Sequence, residues 1–379
     1  MDTITNPNSQ DLILVHGARL TGAKALSPAI KEASRLQVWR GLAAILFDWG
    51  LIAGAFAAAI HFPYVPVWIA AAVVIAGRQH ALLVLMHEAT HYRLLHNRTW
   101  NDRLSNWFLA WPQVDTTEGF RSDHLPHHFH LFTERDPEWT RKKPRPEFQF
   151  PSSRGRFLFI IAKDILGFSI LKMLKLLMNF SGAQQKSYVE QKASWARRTE
   201  RVLYYAGVLS LLFYFNLMVP VLLLWFLPAF TLLFAILRVR NVAEHSNVGV
   251  QDDLEMARNI LRPYWFERMT VGPHHVNLHL VHHFYPSVPF YSLPKVHRLL
   301  MGVPEYAARA ANVDTYFGLR GSSVLNDIAV QRQNEMSGEQ LPKPGGRAVD
   351  VLDQADELWN DTHNALNDKH AVQTPTAVG

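Results

Sequence analysis

Between Arg201 and Arg238 lie 36 consecutive residues, Val202 to Leu237, without one charged side chain. A helix needs about 20 residues to cross a hydrocarbon core of about 30 Å, so this run is long enough for two crossings. The sequence Asn216 to Pro220 in its middle is the turn expected of a helical hairpin. Upstream, Leu42 to Ile60 is apolar except for Asp48. After the break His61-Phe62-Pro63 a second apolar stretch, Tyr64 to Met86, is interrupted by Arg78, Gln79 and His80. The fold expected is therefore all-α and integral to a membrane, with four transmembrane helices in two hairpins at 42–60, 64–86, 202–217 and 220–237. Asp48 and Arg78 are expected near the membrane interface, where a charge costs least.

The mean hydropathy of -0.04 hides this pattern, because polar ends are averaged with apolar runs. The segment 157–177 is apolar but carries Lys163, Asp164, Lys172 and Lys175, as an amphipathic helix lying at the interface would. The connections near Phe62 and Met218 hold no Lys or Arg. The N-terminal segment has Lys24, Lys31, Arg35 and Arg40, and the loop after Met86 has more. By the positive-inside rule both termini and that loop are cytoplasmic. Three regions follow: a cytoplasmic segment 1–40, a membrane domain 41–320 and a polar, flexible tail 321–379. The net charge is +6, and the stretch from Gln331 onward is acidic, so the basic excess falls on the cytoplasmic loops, facing anionic lipid. No nucleic-acid recognition motif accompanies it, and the apolar runs oppose that use. Met1 to Leu20 is too polar for a signal peptide, so the first span is expected to act as the targeting signal, with no cleaved leader.

The chain has no cysteine. That excludes disulfides, thiolate nucleophiles, iron–sulfur clusters held by this chain and thiolate-ligated haem, and leaves His and carboxylate for any redox metal. Histidine is plentiful: 14 of the 19 lie between His80 and His283. Three clusters lie in the segments that follow apolar spans on the expected cytoplasmic side. The first is His87-Glu88-Ala89-Thr90-His91, two imidazoles at i and i+4 on one helical face. The second, His124-Leu125-Pro126-His127-His128, and the third, His279-Leu280-Val281-His282-His283, share the spacing H-x-x-H-H, and His245 follows the last span. These nine neutral nitrogen donors suit two borderline transition metals with four or five ligands each, and an imidazole-rich site holds iron while leaving room for O2. Asp123, Asp136, Glu88 and Glu244 are placed to hydrogen-bond the far nitrogens of ligating rings. His80, His96, His130, His274, His275 and His297 lie near the boxes outside their pattern. His16, His61, His363 and His370 read as ordinary interfacial or hydrogen-bonded side chains.

In order and interval the boxes resemble those of the membrane fatty acid desaturase and hydroxylase family. The resemblance runs from about Gly77 to Leu300 and takes in Arg78-Gln79-His80, Asp136-Pro137, Arg238 to His245 and Pro286 to His297. It implies a di-iron site on His87, His91, His124, His127, His128, His245, His279, His282 and His283. Asn241 stands where some members have an asparagine that reaches a metal through water. It implies O2-dependent desaturation of a fatty acyl or lipid chain. Hydroxylation, or a sphingolipid, carotenoid or amino-acid-derived substrate, are the family's other outcomes. Two departures are visible: many members have one more residue between the first two histidines, and there is no His-Pro-Gly-Gly haem segment. Electrons are therefore expected from a separate donor, a ferredoxin, rubredoxin or cytochrome b5 with its reductase. The absence of an organelle-type transit segment points to a bacterial inner membrane with a cytoplasmic active site.

Two other classes compete with this reading. His87 to His91 also fits H-E-x-x-H, the zinc protease motif, but such a site needs one further protein ligand and would leave both H-x-x-H-H boxes without a purpose. A metal transporter would place its histidines within the spans, whereas these lie mostly outside.

Overall fold

In hydrocarbon there is no water to satisfy peptide groups, so an apolar run that enters it bonds its backbone internally as a helix. The computed structural model describes residues 23–150, 152–170, 195–246, 253–318 and 321–329. After α1 (Ser27–Ala33), α2 (Val38–His61) and α3 (Val65–Thr90) form an antiparallel pair joined by three residues, with Pro66 in the first turn of α3, where its missing N–H costs nothing. α4 (Arg98–Ser105) runs on through a π-turn at Asn106–Ala110. Then come α5 (Thr117–His130), α6 (Pro137–Lys142), α7 (Arg154–Ile165), α8 (Trp195–Tyr214) and α9 (Met218–His245), the last containing a π-turn at Leu222–Phe226. Short helices follow: α10 (Trp265–Thr270), α11 (His279–Phe284), α12 (Leu293–Leu300) and α13 (Pro304–Arg309). Among the described residues the strands are β1 (Asn259–Ile260) and β2 (Asn312–Val313), paired in parallel with Asn259 opposite Asn312.

Three helices, α2, α3 and α9, are long and apolar enough to cross a membrane. The run expected to cross at 202–217 falls in α8, whose first turns carry Arg197, Arg198, Glu200 and Arg201 before the apolar part begins. The turn expected between the last two runs is present at Phe215–Leu217, with Asn216 in the left-handed region at φ 54°. Leu46, Phe47, Val65, Ile69 and Val73 on α2 and α3, and Val202, Leu209, Leu211 and Phe213 on α8, are exposed, as stripes that meet acyl chains are. The helix expected at 157–177 ends at Ile165. Gly167 turns left-handed at φ 78°, and residues 171–177 lie outside the described ones.

Caps set where the helices of the second box begin. Thr116 Oγ1 accepts from Gly119 N at 3.2 Å to start α5. Asp136 accepts from Glu138 N at 2.8 Å and Trp139 N at 3.1 Å to start α6. Each side-chain oxygen satisfies an N–H that the first turn leaves without a helical partner. Three apolar cores support the whole. One, around Ile75, Leu82, Leu85, Met86 and Trp225, joins α3 to α2 and α9. A second, around Ile30, Leu280, Phe284, Val296 and Tyr306, encloses the third box. The third takes in Val239, Val242, Ile260 and Val313, and includes Val324 and Ile328. Those last two fall in the segment assigned from sequence to the tail. They are apolar at i and i+4, so one helical face buries both, and the rest of that segment, 330–379, lies outside the described residues.

Asp48 and Arg78, expected from sequence near the interface, are turned into the protein and not toward its surroundings. Both are buried, paired at 2.8 Å between α2 and α3. A charge removed from water needs a partner in contact, and each helix supplies the other's.

Candidate metal centre

The first box ends α3, with His87 in the last turn and His91 as the C-cap residue at φ -92° and ψ 8°. α5 carries the second box despite Pro126 within it, and α11 is little more than the third box itself. His245 is the last residue of α9. These elements converge, and all nine imidazoles expected to act together do meet. They meet as two groups: His87, His91, His124, His128 and His282, and His127, His245, His279 and His283, with ring nitrogens within 4.8 Å of one another in each.

The nitrogens meet tip to tip. In the larger group His124 Nε2 lies 3.1 Å from His91 Nε2, 2.8 Å from His128 Nε2, and His128 Nε2 lies 3.2 Å from His282 Nε2. In the smaller, His245 Nε2 is 3.2 Å from His127 Nε2 and 2.9 Å from His279 Nε2, with His283 Nε2 3.1 Å from His279 Nε2. Two imidazole nitrogens at right angles around a metal with bonds of about 2.1 Å would stand about 3.0 Å apart.

The opposite ring nitrogens decide whether a cation fits. His127 Nδ1 is 3.0 Å from Asp136 Oδ2, His245 Nδ1 is 3.1 Å from the Met256 carbonyl, and His279 Nδ1 is 3.4 Å from Glu244 Oε1. Carboxylate and carbonyl oxygens only accept, so the Nδ1 atoms of His127 and His245 carry the protons, whereas His279 Nδ1 makes no hydrogen bond to Glu244. In their neutral forms the Nε2 atoms of His127 and His245 therefore present bare lone pairs to each other at 3.2 Å, with no proton between. Such a cluster repels itself unless a cation lies at its centre, so the donor set fits a metal ion. Burial holds His91, His128, His279, His282 and His283 well below their usual value of 6.5 and His124 down to about 4. At neutral pH these rings are uncharged and available as ligands. Burial also lowers His127, but Glu138 and Asp136 outweigh it and raise that ring.

The other expected residues fall in distinct places. Asp136 holds His127. Glu244 meets His279 and accepts from Arg240 Nε at 2.7 Å. Glu88 is 3.9 Å from His87 Nδ1; its hydrogen bond is from Phe290 N at 2.9 Å, just beyond the third box. Asn241 donates to the Leu237 carbonyl at 3.2 Å and, with Phe132, Trp139, Lys142 and Ser246, borders a cleft that opens on His127 and His245. Asp123 is at the surface, paired with Arg141 at 2.6 Å. Of the six histidines outside the pattern, none joins either group among the described residues. His96 is exposed, His297 Nδ1 meets Tyr306 Oη at 3.2 Å, and His80 and His274 bond elsewhere, as described below.

Glu138 and Arg240 were not singled out from sequence. Glu138 Oε1 stands 3.9 Å from His124 Nδ1. Burial alone would raise its carboxyl, but Lys142 and His127 hold it well below the usual range. Arg240 could have been found, being four residues before Glu244 on one helix.

Helices long and apolar enough to cross a membrane thus end in a cysteine-free double cluster of histidines with the donors for metal ions. The fatty acid desaturase family model matches residues 64–313, and the chain belongs to that family of membrane-bound, non-haem iron enzymes. One relative is the dihydrorhizobitoxine desaturase of Bradyrhizobium elkanii, 29% identical over 255 residues that make up 64% of this chain and 70% of that protein.

Proposed function

We propose that this chain is an O2-dependent di-iron desaturase that introduces a double bond into a lipid or fatty acyl chain with electrons from an external ferredoxin, rubredoxin or cytochrome b5-type donor. The observation that carries the reading is the convergence of nine imidazoles into two groups whose ring nitrogens lie within 4.8 Å of one another. One iron would be held by His87, His91, His124, His128 and His282, and the other by His127, His245, His279 and His283. With four imidazoles the second iron keeps room for one ligand more, beside Asn241 and the cleft. Bound iron supplies the one-electron chemistry with O2 that a saturated C–H bond requires.

The residues of this chain do the positioning. Asp136 and the Met256 carbonyl fix which nitrogen of His127 and His245 faces inward, and Glu244 lies 3.4 Å from His279 Nδ1. Burial favours the neutral form of His279, His282 and His283, whereas at His127 Glu138 and Asp136 outweigh it. Phe132, Trp139 and Val242 line the cleft with apolar surface against which an alkyl segment can rest. The relative's name favours a second possibility for the substrate, a small molecule other than a fatty acid. In this reading four helices, α2, α3, α8 and α9, cross the membrane as two hairpins, with α7 at the interface. The site faces the cytoplasm of a bacterial inner membrane. Residues 41–320 form the desaturase domain, between a cytoplasmic segment 1–40 and a tail whose first residues pack on it.

Metal analysis of detergent-purified protein tests the proposal, alongside a variant with His282→Ala and His283→Ala. About two irons per chain, lost in the variant, are expected from one ligand removed per group. A single zinc retained by the variant would refute the di-iron reading and favour the protease.

A further inference from the structure

Five polar features near the boxes have no part in holding a metal: Asp48, Arg78, His80, His274 and Glu88. The structure joins them. Arg78 Nη1 donates to Asp48 Oδ1 at 2.8 Å, and its Nη2 donates to the Met269 carbonyl. Two residues on, His80 Nδ1 donates to the Thr270 carbonyl at 2.6 Å. The other oxygen of Asp48, Oδ2, lies 2.7 Å from His274 Nε2. Beyond the third box, Phe290 N donates to Glu88 Oε2 at 2.9 Å, and the Phe290 ring packs on His274 at 5.2 Å.

These contacts have a common logic. Met269, Thr270 and His274 precede the third box, and Phe290 follows it. Their partners at 78, 80 and 88 are on α3, the helix that carries His87, with Asp48 alone on α2. The segment holding His279, His282 and His283 is thus tied to the first-box helix on both flanks. His274 and His275 adopt the left-handed region in succession, at φ 50° and φ 57°. Non-glycine residues leave that backbone state unless something holds them. Asp48 and Phe290 hold His274 there. Gly77 lets the segment lie against α3, since a Cβ at that position would stand 2.6 Å from the Met269 carbonyl oxygen.

We propose that Asp48, Arg78 and His80 are positioning residues: with Glu88 they form a bracket that sets the third histidine box in register with the first. The inference rests on the metal reading above. His282 must meet His87 and His91 in one group while His279 and His283 serve the other. Metal–ligand distances tolerate errors of only about 0.2 Å, so a slide of α11 along α3 would disturb both groups. A buried ion pair adds little stability over apolar residues of similar volume, and register is the best attested use of one.

That comparison supplies the test. Asp48→Leu combined with Arg78→Met replaces the pair by apolar side chains, and Arg78→Lys keeps the charge but not the fork that reaches both Asp48 and Met269. For the double variant, elution in detergent and helicity should match wild type, while the metal-free melting temperature falls modestly because His274 and the Met269 carbonyl lose their partners. Its iron content should fall from about two to below one per chain, its iron affinity at least about 10-fold, and its cobalt(II) absorption spectrum should change. Arg78→Lys should recover part of each. Wild-type iron affinity and cobalt spectrum in the double variant would overturn the proposal. So would aggregation of the metal-free variants, which would make the pair a folding element. Wild-type protein that binds no iron would instead defeat the metal reading itself.

Discussion

Replacing Asp136 by Asn weakens one of two tasks that a single buried carboxylate performs, capping α6 and orienting His127. Oδ1 accepts the Glu138 and Trp139 N–H groups at 2.8 and 3.1 Å, Oδ2 accepts the Phe132 N–H at 3.3 Å, and His127 Nδ1 is shared between them at 3.1 Å from Oδ1 and 3.0 Å from Oδ2. Asn keeps an oxygen for the first task and is about as good an N-cap as Asp, so metal-free stability should change by under about 1 kcal/mol. In place of the second oxygen it puts an NH2 group, which faces the N–H of Phe132 and leaves the Nδ1 proton of His127 only the neutral amide oxygen, at 3.1 Å, as acceptor. Relief comes if His127 moves its proton to Nε2 and accepts at Nδ1, and a ring in that state has no lone pair toward the centre. Loss of such a partner lowers metal affinity about 10- to 100-fold, or about 1.4 to 2.7 kcal/mol. The loss should be confined to the group of His127, His245, His279 and His283. Asp136→Ala should add about 0.5–2 kcal/mol of instability from the missing cap. The assay is iron retained per chain during graded chelation, with metal-free melting temperature as control. Asp136→Asn is expected to hold one iron as tightly as wild type and to lose the other early. Two irons held with unchanged affinity would refute the assignment of tautomers.

Three further outcomes are expected. Gly77→Ala should push Met269 off α3, destabilising the protein by about 1–3 kcal/mol and lowering its iron content, and normal melting with normal iron would refute that contact. Burial depresses His91, His128, His279, His282 and His283 from 6.5, so below that pH the unfolded chain takes up protons that the folded chain does not. The metal-free protein should therefore lose stability as pH falls from about 7.5 to about 5.5, by up to about 1.4 kcal/mol per pH unit for each ring, and a melting temperature flat over that range would contradict the burial. Asp123→Asn breaks only a pair whose side chains are 36% and 52% exposed. Stability should therefore stay within about 1 kcal/mol of wild type with iron content unchanged, and a large loss of iron would place Asp123 in the site.

Spacing alone made much of the site legible. In a helix residues i and i+4 point nearly the same way while i+3 is rotated from them, and the groups follow this rule. His124 and His128 go to one group and His127 to the other, while His279 and His283 share a group that His282 leaves. The apolar runs likewise declared their helices, because chain buried in lipid has no other local solution. Partners were not legible. Asp48 and Arg78 are 30 positions apart and each, taken singly, was better placed at the interface; their pairing exists only because α2 and α3 pack side by side. Glu88 is adjacent to His87, yet its hydrogen-bond donor is 202 residues away.

The sequence by itself therefore determined the helices, the family and which nine imidazoles belong together, since periodicity and residue chemistry are local properties of the chain. Which group each box serves, which nitrogen faces inward and what holds the third box against the first were decided only by tertiary structure. Those depend on distances between segments far apart in the chain, and packing alone sets such distances.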